Sequence, residues 1–171
     1  MQTHIILTIL GPDRPGLVQD LSAIFTAHQG NWTESRMVHL GGQFAGLLQV
    51  SLPSDQLIAL QQALDKLQTN GLQVLFAESK NSLVHEDSDL LHIEVLGLDR
   101  PGIIRDITAQ LAALKVNIEE LFTEQRTAPM SSELLFFASL VLSLPKGVSA
   151  DQVKKQLEDL SDQLMVDLNF D

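Results

Sequence analysis

The sequence contains two nearly identical hexapeptides, GPDRPG at residues 11–16 and GLDRPG at residues 97–102. Placed in register, they define an offset of 86 residues that also aligns positions outside the hexapeptides without a gap. The aligned positions include Asp13/Asp99, Arg14/Arg100, Pro15/Pro101, Gly16/Gly102, Asp20/Asp106 and Asn31/Asn117. Farther along, a second SLP tripeptide follows the first by 92 residues, so the second copy has six additional residues, which RTAPMSSE (126–133) accommodates as a loop. The chain is therefore an internal duplication.

Both copies contain the same succession of hydrophobic periodicities. HIILTIL (4–10) is apolar and β-branched like a buried strand, and it is predicted to end at the Gly-Pro pair. Apolar residues then repeat at helical spacing in LVQDLSAIF. The segments WTESRMVHL and FAGLLQVSL flank a Gly41-Gly42 turn and predict a hairpin. A second helical pattern, LIALQQALDKL, precedes a last strand, LQVLFAES, which gives the order β-α-β-β-α-β.

This order is that of the ferredoxin-like split βαβ motif, in which helices cover one face of an antiparallel sheet. We therefore predict an α+β chain of two tandem βαββαβ domains, at 1–80 and 91–171, joined by a polar and acidic linker at 81–90. A domain of about 80 residues is small for independent stability, so we expect a second copy to cover an open edge or face of each sheet.

Charge and composition exclude several classes of function. The formal net charge is −11, with seven basic and sixteen acidic residues in 81–171 against four and six in 1–80. Because nucleic-acid binding depends first on Lys and Arg, no direct contact with nucleic acid is expected. The acidic excess of the second copy is compatible with a basic partner, although a solvated, solubilising surface is the simpler interpretation. The chain has no cysteine, which excludes disulfides and thiolate metal sites.

Membrane and secretory classes are not expected either. The longest apolar segment, LLFFASLVLSL (134–144), predicts a buried strand and is too short for a membrane span, which needs about 20 residues. The first residues lack the basic region of a secretory signal. We expect a cytoplasmic protein.

The repeated turn leads into a helix, whose first-turn N–H groups and partial positive charge attract carboxylate or phosphate. We expect Gly11 to adopt dihedral angles closed to other residues, Pro15 to occupy the first helical position, and Gly16 to leave room for a ligand or neighbouring backbone. Arg14 offers a planar fork suited to a carboxylate, and Asp13 either caps the helix or pairs with a ligand ammonium. The aligned residues of the second copy have the same roles. A purely structural turn explains the pattern equally well.

The chain resembles the ACT domain family through the pattern Gly-x-Asp-x-Pro-Gly between the first strand and the first helix, followed by Asn at the start of the second strand. The pattern occurs in both copies, so the resemblance covers nearly the whole chain. The resemblance implies regulatory modules of amino-acid metabolism that bind small ligands, often amino acids, where two domains pair. The ligand-contacting positions that it implies are Gly11, Asp13, Arg14, Pro15, Gly16 and Asn31, with Gly97, Asp99, Arg100, Pro101, Gly102 and Asn117 in the second copy. The two asparagines have a second interpretation, as left-handed residues at helix ends.

Within that family, GPDRPG together with ESRMVHLGGQFAG resembles the free-standing tandem-ACT repressors of glycine cleavage genes. This resemblance implies a regulator of glycine and one-carbon metabolism that has no DNA-binding domain and contacts a DNA-binding transcriptional activator. The resemblance favours glycine as the effector, and it leaves undecided whether the chain forms a homodimer. The second copy lacks the Gly41-Gly42 hairpin and has Val116 in place of Gly30, which leaves open whether both sites function.

No catalytic residue, metal or cofactor is predicted. The five histidines do not fall in metal-ligand spacing, and adjacent carboxylates on a strand point to opposite faces. Formyltetrahydrofolate deformylases resemble this chain in their N-terminal ACT region, but their large catalytic domain follows it, whereas this sequence ends at Asp171. We therefore expect a regulator rather than an enzyme fragment. A ligand-free ACT interaction module is the remaining alternative.

Overall fold

The computed structural model describes residues 1–68, 71–78, 89–129, 131–160 and 164–169. The chain forms two compact units, Met1–Val84 and His85–Asp171. Most of the predicted linker at 81–90 lies outside the described residues, and its last two positions are the first residues of a strand. The predicted domain limits therefore stay a prediction.

The first unit has the predicted order of elements. They are β1 (Gln2–Pro12), α1 (Leu17–Ala27), β2 (Asn31–Leu40), β3 (Gln43–Pro53), α2 (Leu57–Gln68) and β4 (Gln73–Glu78), with a short 3₁₀ turn at Ser54–Gln56 before α2. The strands form an antiparallel sheet in the order β2-β3-β1-β4, so that β1 and β3 are central. β1 continues through the Gly-Pro pair to Pro12 instead of ending before it, because Gly11 and Pro12 still pair with β3.

The second unit repeats this architecture element by element. Its elements are β5 (Asp89–Leu98), α3 (Ile103–Ala113), β6 (Asn117–Thr127), β7 (Leu134–Leu144), α4 (Ala150–Glu158) and β8 (Met165–Asn169). The sheet is again antiparallel, in the order β6-β7-β5-β8. The prediction of an α+β chain with tandem ferredoxin-like βαββαβ units is confirmed.

Helices cover one face of each sheet, and the strand periodicity of two residues explains which side chains they bury. In the first unit the inward-facing residues of the central strands are at most 3% exposed and pack against Leu17, Leu21 and Phe25 of α1. These strand residues are Ile5, Leu7, Ile9, Leu48, Val50 and Leu52. Burying one such side chain contributes roughly 1.5–3 kcal/mol. The second unit has an equivalent core beneath α3 and α4.

The first helix of each unit ends in a Schellman motif. In the first unit Gln29 has a left-handed φ of 56°, and its N–H donates to the Thr26 carbonyl at 3.1 Å. The Gly30 N–H then donates to the Phe25 carbonyl at 2.7 Å. Lys115, with a φ of 57°, has the position of Gln29 at the end of α3.

These motifs correct the second interpretation of the two asparagines. The left-handed residues are Gln29 and Lys115, whereas Asn31 and Asn117 are the first residues of β2 and β6. A left-handed conformation at a helix end is therefore not the role of either asparagine.

The units differ most at the hairpin between their second and third strands. In the first unit Gly41 and Gly42 have φ values of 59° and 78°, as a two-residue type I′ turn requires. In the second unit β6 and β7 are joined by residues 128–133, where the six-residue insertion was predicted. The hairpin end therefore has a different shape and length in the two units.

Candidate functional site

A type II turn connects the first strand of each unit to its first helix. In the first unit the Leu17 N–H donates to the Arg14 carbonyl at 3.4 Å, and Gly16 has φ 85° and ψ −3°. In the second unit Gly102 has φ 86° and ψ 2°. Proline at the second position and glycine at the third are the residues that this turn type favours. The repeated Arg-Pro-Gly tripeptide is therefore explained by one backbone conformation used twice.

This geometry corrects two expectations about the turn. The helix begins at Leu17, so Pro15 lies in the turn before it and not at the first helical position; Pro101 is placed likewise before α3. Gly11 lies within β1 and does not have a positive φ. Its small size is needed instead for packing, because a Cβ there would lie 3.0 Å from Leu72 Cδ1.

Gly97 is likewise a strand residue. It lies in β5, where it pairs with Phe136, and it is not among the glycines of positive φ. The expectation of special dihedral angles for Gly11 and Gly97 is therefore wrong. The turn glycines with a positive φ are Gly16 and Gly102, for which only room for a ligand or neighbouring backbone was expected.

Each turn arginine binds an aspartate in the first turn of the helix that follows. Arg14 Nη2 lies 2.6 Å from Asp20 Oδ2, and Arg100 Nη2 lies 2.7 Å from Asp106 Oδ2. We call these two contacts the turn ion pairs. The carboxylate also lies at the positive end of the helix, where a negative charge is favourable. Sequence analysis did not identify these pairs; the signal that could have revealed them is the spacing repeated in both copies, Arg followed by Asp six residues later.

The ion pair of the second unit also involves Arg105, which donates to Asp106 Oδ1 from Nε at 3.1 Å and from Nη2 at 3.0 Å. Hydrogen bonds from Arg100 and then from Arg105 hold the pKa of the Asp106 carboxyl below its usual value. The carboxylate is therefore ionised throughout the neutral range, with both arginines directed toward it.

Asp13 and Asp99 tie each turn to the neighbouring hairpin. The Asp13 N–H donates to the Gly42 carbonyl at 3.1 Å, and the Asp99 N–H donates to the Leu134 carbonyl at 2.9 Å. The Asp99 side chain accepts a hydrogen bond from Gln125 Nε2 at 2.5 Å. Neither α1 nor α3 has a side-chain hydrogen bond at its N-cap, so neither aspartate acts as a cap.

Asn31 and Asn117 lie at the opposite end of the sheet from the turn. Asn31 pairs with Ser51 of β3, and Ser51 pairs with His4 near the start of β1. Gly11 follows His4 by seven residues, or about 23 Å at the usual rise of a strand. The same register places Asn117 opposite Ser143, far from Gly97. Within one unit the structure thus brings together five of the six implied positions, all except the asparagine.

A cavity of about 320 Å³ borders the turn of the second unit. Its lining includes Gly97, Leu98, Asp99, Arg100, Ile103, Ile107, Leu160 and Leu164. Three of the implied ligand positions therefore share a cavity with aliphatic side chains from α3 and from the chain after α4. A carboxylate and an arginine beside an apolar wall suit a small molecule that has charged and aliphatic parts.

Among the residues that the structure describes, no three His, Asp or Glu side chains are grouped so that they could hold a metal ion. Over the same part of the chain, no helix is long and apolar enough to cross a membrane.

The fold and the repeated turn define the class of protein to which the chain corresponds. Residues 3–77, which make up nearly all of the first unit, match the family model described as "ACT domain", and the second unit repeats the topology of the first. The chain thus contains two tandem ferredoxin-like units, of which the first matches the ACT domain model.

More particular relatives match from end to end. The chain is 25% identical over 170 residues to the glycine cleavage system transcriptional repressor of Escherichia coli (strain K12). The alignment covers 98% of this chain and 87% of that protein. The repressor of Shigella flexneri matches equally. A crystal structure of an unknown protein from Galdieria sulphuraria superposes with a TM-score of 0.85 at 29% identity, covering 99% of this chain and 98% of that chain. The chain is therefore similar, over nearly its whole length, to proteins named glycine cleavage system transcriptional repressor.

A structure provisionally assigned to a glycine cleavage system transcriptional repressor shares the fold. Its TM-score is 0.71 at 16% identity, covering 100% of this chain and 99% of that chain. At this identity the similarity shows a shared fold alone.

Gly16→Ala is expected to lower the free energy of unfolding by about 1–2 kcal/mol, because alanine resists a positive φ. Apart from Gly16 and its two chain neighbours, no heavy atom of the described residues lies within 4 Å of the Cβ position, so the substitution tests backbone conformation. Gly16→Asn is the matched control and should lose less, since asparagine enters the left-handed region more readily. Urea denaturation followed by circular dichroism measures both. An alanine variant as stable as the wild type would contradict the assigned turn.

Asp106→Asn should make the protein less stable at neutral pH, and the difference from the wild type should disappear in acid. The folded pKa of Asp106 lies below the unfolded value of about 3.9, so its stabilisation is present above that value and is lost as the pH falls through the folded pKa. Urea midpoints measured between neutral pH and about pH 2.5 test this. Asp151→Asn, in the first turn of α4, controls for removal of an acidic residue near a helix N-terminus. A difference that is constant with pH would contradict the ion pair.

Proposed function

We propose that this chain is a non-enzymatic, amino-acid-responsive regulator of the transcription of glycine and one-carbon metabolism genes. It acts in the cytoplasm by contact with a DNA-binding transcriptional activator. The proposal is supported by the ACT domain at residues 3–77 and by the end-to-end similarity to proteins named glycine cleavage system transcriptional repressor. The net charge of −11 agrees with action through a protein rather than on DNA.

The observation that carries the ligand part of the proposal is the cavity beside the second turn. It joins Asp99 and Arg100 to an aliphatic wall that includes Ile103 and Leu160. In the proposed complex, the amino-acid carboxylate binds Arg100 and the N-terminus of α3, the ammonium faces Asp99, and the remainder of the ligand faces the wall. We favour glycine as the effector because the relatives are named for the glycine cleavage system. The aliphatic wall of the cavity also offers contacts to aliphatic amino acids.

Ligand binding would regulate the activator only if it favours one state of the protein over another. The site residues follow a central strand directly and begin a helix, so a shift in the turn is transmitted to the packing of α3 on the sheet. We therefore propose that the regulated equilibrium involves the turn and the helix that follows it.

A ligand-free interaction module is the second candidate, and the turn ion pairs favour it. Arg14 and Arg100 already bind Asp20 and Asp106, and Asp99 already accepts a hydrogen bond from Gln125. In that case the repeated residues would serve the turn alone, and the chain would act only through its surfaces.

Isothermal titration with glycine, then serine, alanine and the branched-chain amino acids, separates the two candidates. The sensor proposal expects saturable binding that Arg100→Ala reduces by at least about tenfold, as loss of a charge-assisted hydrogen bond predicts. Arg14→Ala tests the first unit in the same way. A flat titration for every amino acid would remove the sensor proposal and leave the interaction module.

Asp106→Asn is the matched control for Arg100→Ala. It breaks the same ion pair but leaves the Arg100 guanidinium in place. Binding that survives Asp106→Asn and is lost in Arg100→Ala assigns Arg100 to the ligand. Equal loss in both variants would show that the ion pair supports the site only structurally. Asp20→Asn provides the same control for Arg14.

A further inference from the structure

Each sheet has an outer face, which we define as the side turned away from its two helices. Directly paired residues of antiparallel strands share a face, so the strand register identifies the outer residues. In the second unit Phe122 of β6 pairs with Ser139 of β7. Ser139 in turn pairs with Glu94 of β5, and Glu94 pairs with Asp167 of β8. These four positions form one row across the outer face. Glu120 and Glu124 flank Phe122 on the same side of β6.

The first unit shows that the fold does not require these charges. In the matching registers, the positions of Glu94, Glu124 and Asp167 are occupied by Thr8, Val38 and Leu75. The acidic Glu34 of that face lies 3.5 Å from Arg36. The two sheets have the same topology, so three of the four carboxylates of the second unit, Glu94, Glu124 and Asp167, are a property of its surface and not of its folding.

The outer face of the second unit already binds one guanidinium from its own chain. The Arg126 guanidinium carbon lies 3.5 Å from the centre of the Phe137 ring, and Arg126 Nε pairs with the Glu124 carboxylate. An arginine held between an aromatic ring and a carboxylate is a favourable cation–π arrangement. This internal contact shows which chemistry the face accepts.

Phe122 offers a second ring of the same kind. It packs edge-on to Phe137 with 6.4 Å between ring centres, and 53% of it is exposed. Carboxylates lie on both sides of it along β6 and farther along its row. An exposed phenylalanine among four carboxylates is unfavourable for a surface that only keeps a protein soluble, because the ring adds apolar area without charge.

The spacing of the carboxylates indicates the size of the occupant. No three acidic or histidine side chains in the described part of the chain are close enough together for a metal ion. The carboxylates instead span the width of a four-stranded sheet, which is about 14 Å between outer strands. A set of cations held on one extended chain matches this spread, whereas a single small cation does not.

We propose that the outer face of the second unit binds a basic segment of a partner protein. One arginine of the segment stacks on Phe122, and further basic residues pair with Glu94, Glu120 and Asp167. This inference rests on the proposed regulation through a protein partner and specifies the chemistry of that partner. Exposed ion pairs are individually weak and are screened by salt, so the binding requires several of them and falls steeply with ionic strength.

The test uses the full chain and a fluorescent peptide of alternating arginine and alanine, about ten residues long, in a fluorescence anisotropy titration. Binding is expected at about 50 mM salt and should weaken strongly at about 300 mM. The double variant Glu94→Gln with Asp167→Asn should weaken it about three- to tenfold. Phe122→Leu, which keeps an apolar side chain but removes the ring, should weaken it about two- to fivefold. A peptide of alternating glutamate and alanine is the control for charge.

Glu34→Gln is the matched control variant, because Glu34 is the register equivalent of Glu120 in the first unit. It should leave peptide binding unchanged. Absence of binding at low salt, or equal binding by the wild type and the outer-face variants, would overturn the inference. Sedimentation that shows a dimer broken by Phe122→Leu would assign the face to a second copy of the chain and would also overturn it.

Amino-acid titrations of the same variants separate this inference from the proposed sensor. The outer-face variants should keep any amino-acid binding, and Arg100→Ala should keep peptide binding, because Arg100 lies in the turn outside the Phe122 row. A flat amino-acid titration, together with peptide binding that is weakened by the outer-face variants, would support the basic partner and contradict the proposed amino-acid sensor. The opposite result would overturn the basic partner alone.

Discussion

The positive φ of Gly16 and Gly102 closes the type II turn that carries the chain from a central strand into a helix. Because this reversal takes only a few residues, the arginine before the turn reaches the aspartate in the first turn of the helix. The aspartate before that arginine is left to bind the hairpin through its N–H. The contacts of Arg14 with Asp20 and of Arg100 with Asp106 therefore depend on this glycine conformation.

Much of the fold could be predicted because each copy of the repeat tests the interpretation of the other. Strand and helix periodicities occur in the same order twice, and the aligned turns locate the insertion. The start of the helix could not be predicted as well, since Pro-Gly before an apolar helix is compatible with proline either in the helix or in a type II turn. Only the φ of Gly16 decides between them. The turn ion pairs were also missed, because a separation of six residues is not a helical neighbour spacing.

The placement of Asn31 illustrates a different limit. β1 and β2 are both antiparallel to β3, which lies between them, so they run in the same direction and both start at the same end of the sheet. The turn follows the end of β1, at the other end of the sheet. A sequence pattern orders these residues along the chain but does not state strand direction, so it groups an asparagine with a turn that lies far from it within the same unit.

The turn ion pairs also have a consequence for the concentrations to which such a site responds. An aspartate tethered close to an arginine behaves as a competing ligand at a fixed and high effective concentration. A metabolite carboxylate that takes the place of Asp106 on Arg100 must outcompete it, and this lowers the apparent affinity without changing the contacts in the final complex. The Asp106 carboxylate would thus set a threshold, so that the site stays empty at low metabolite levels and fills only when the metabolite is abundant.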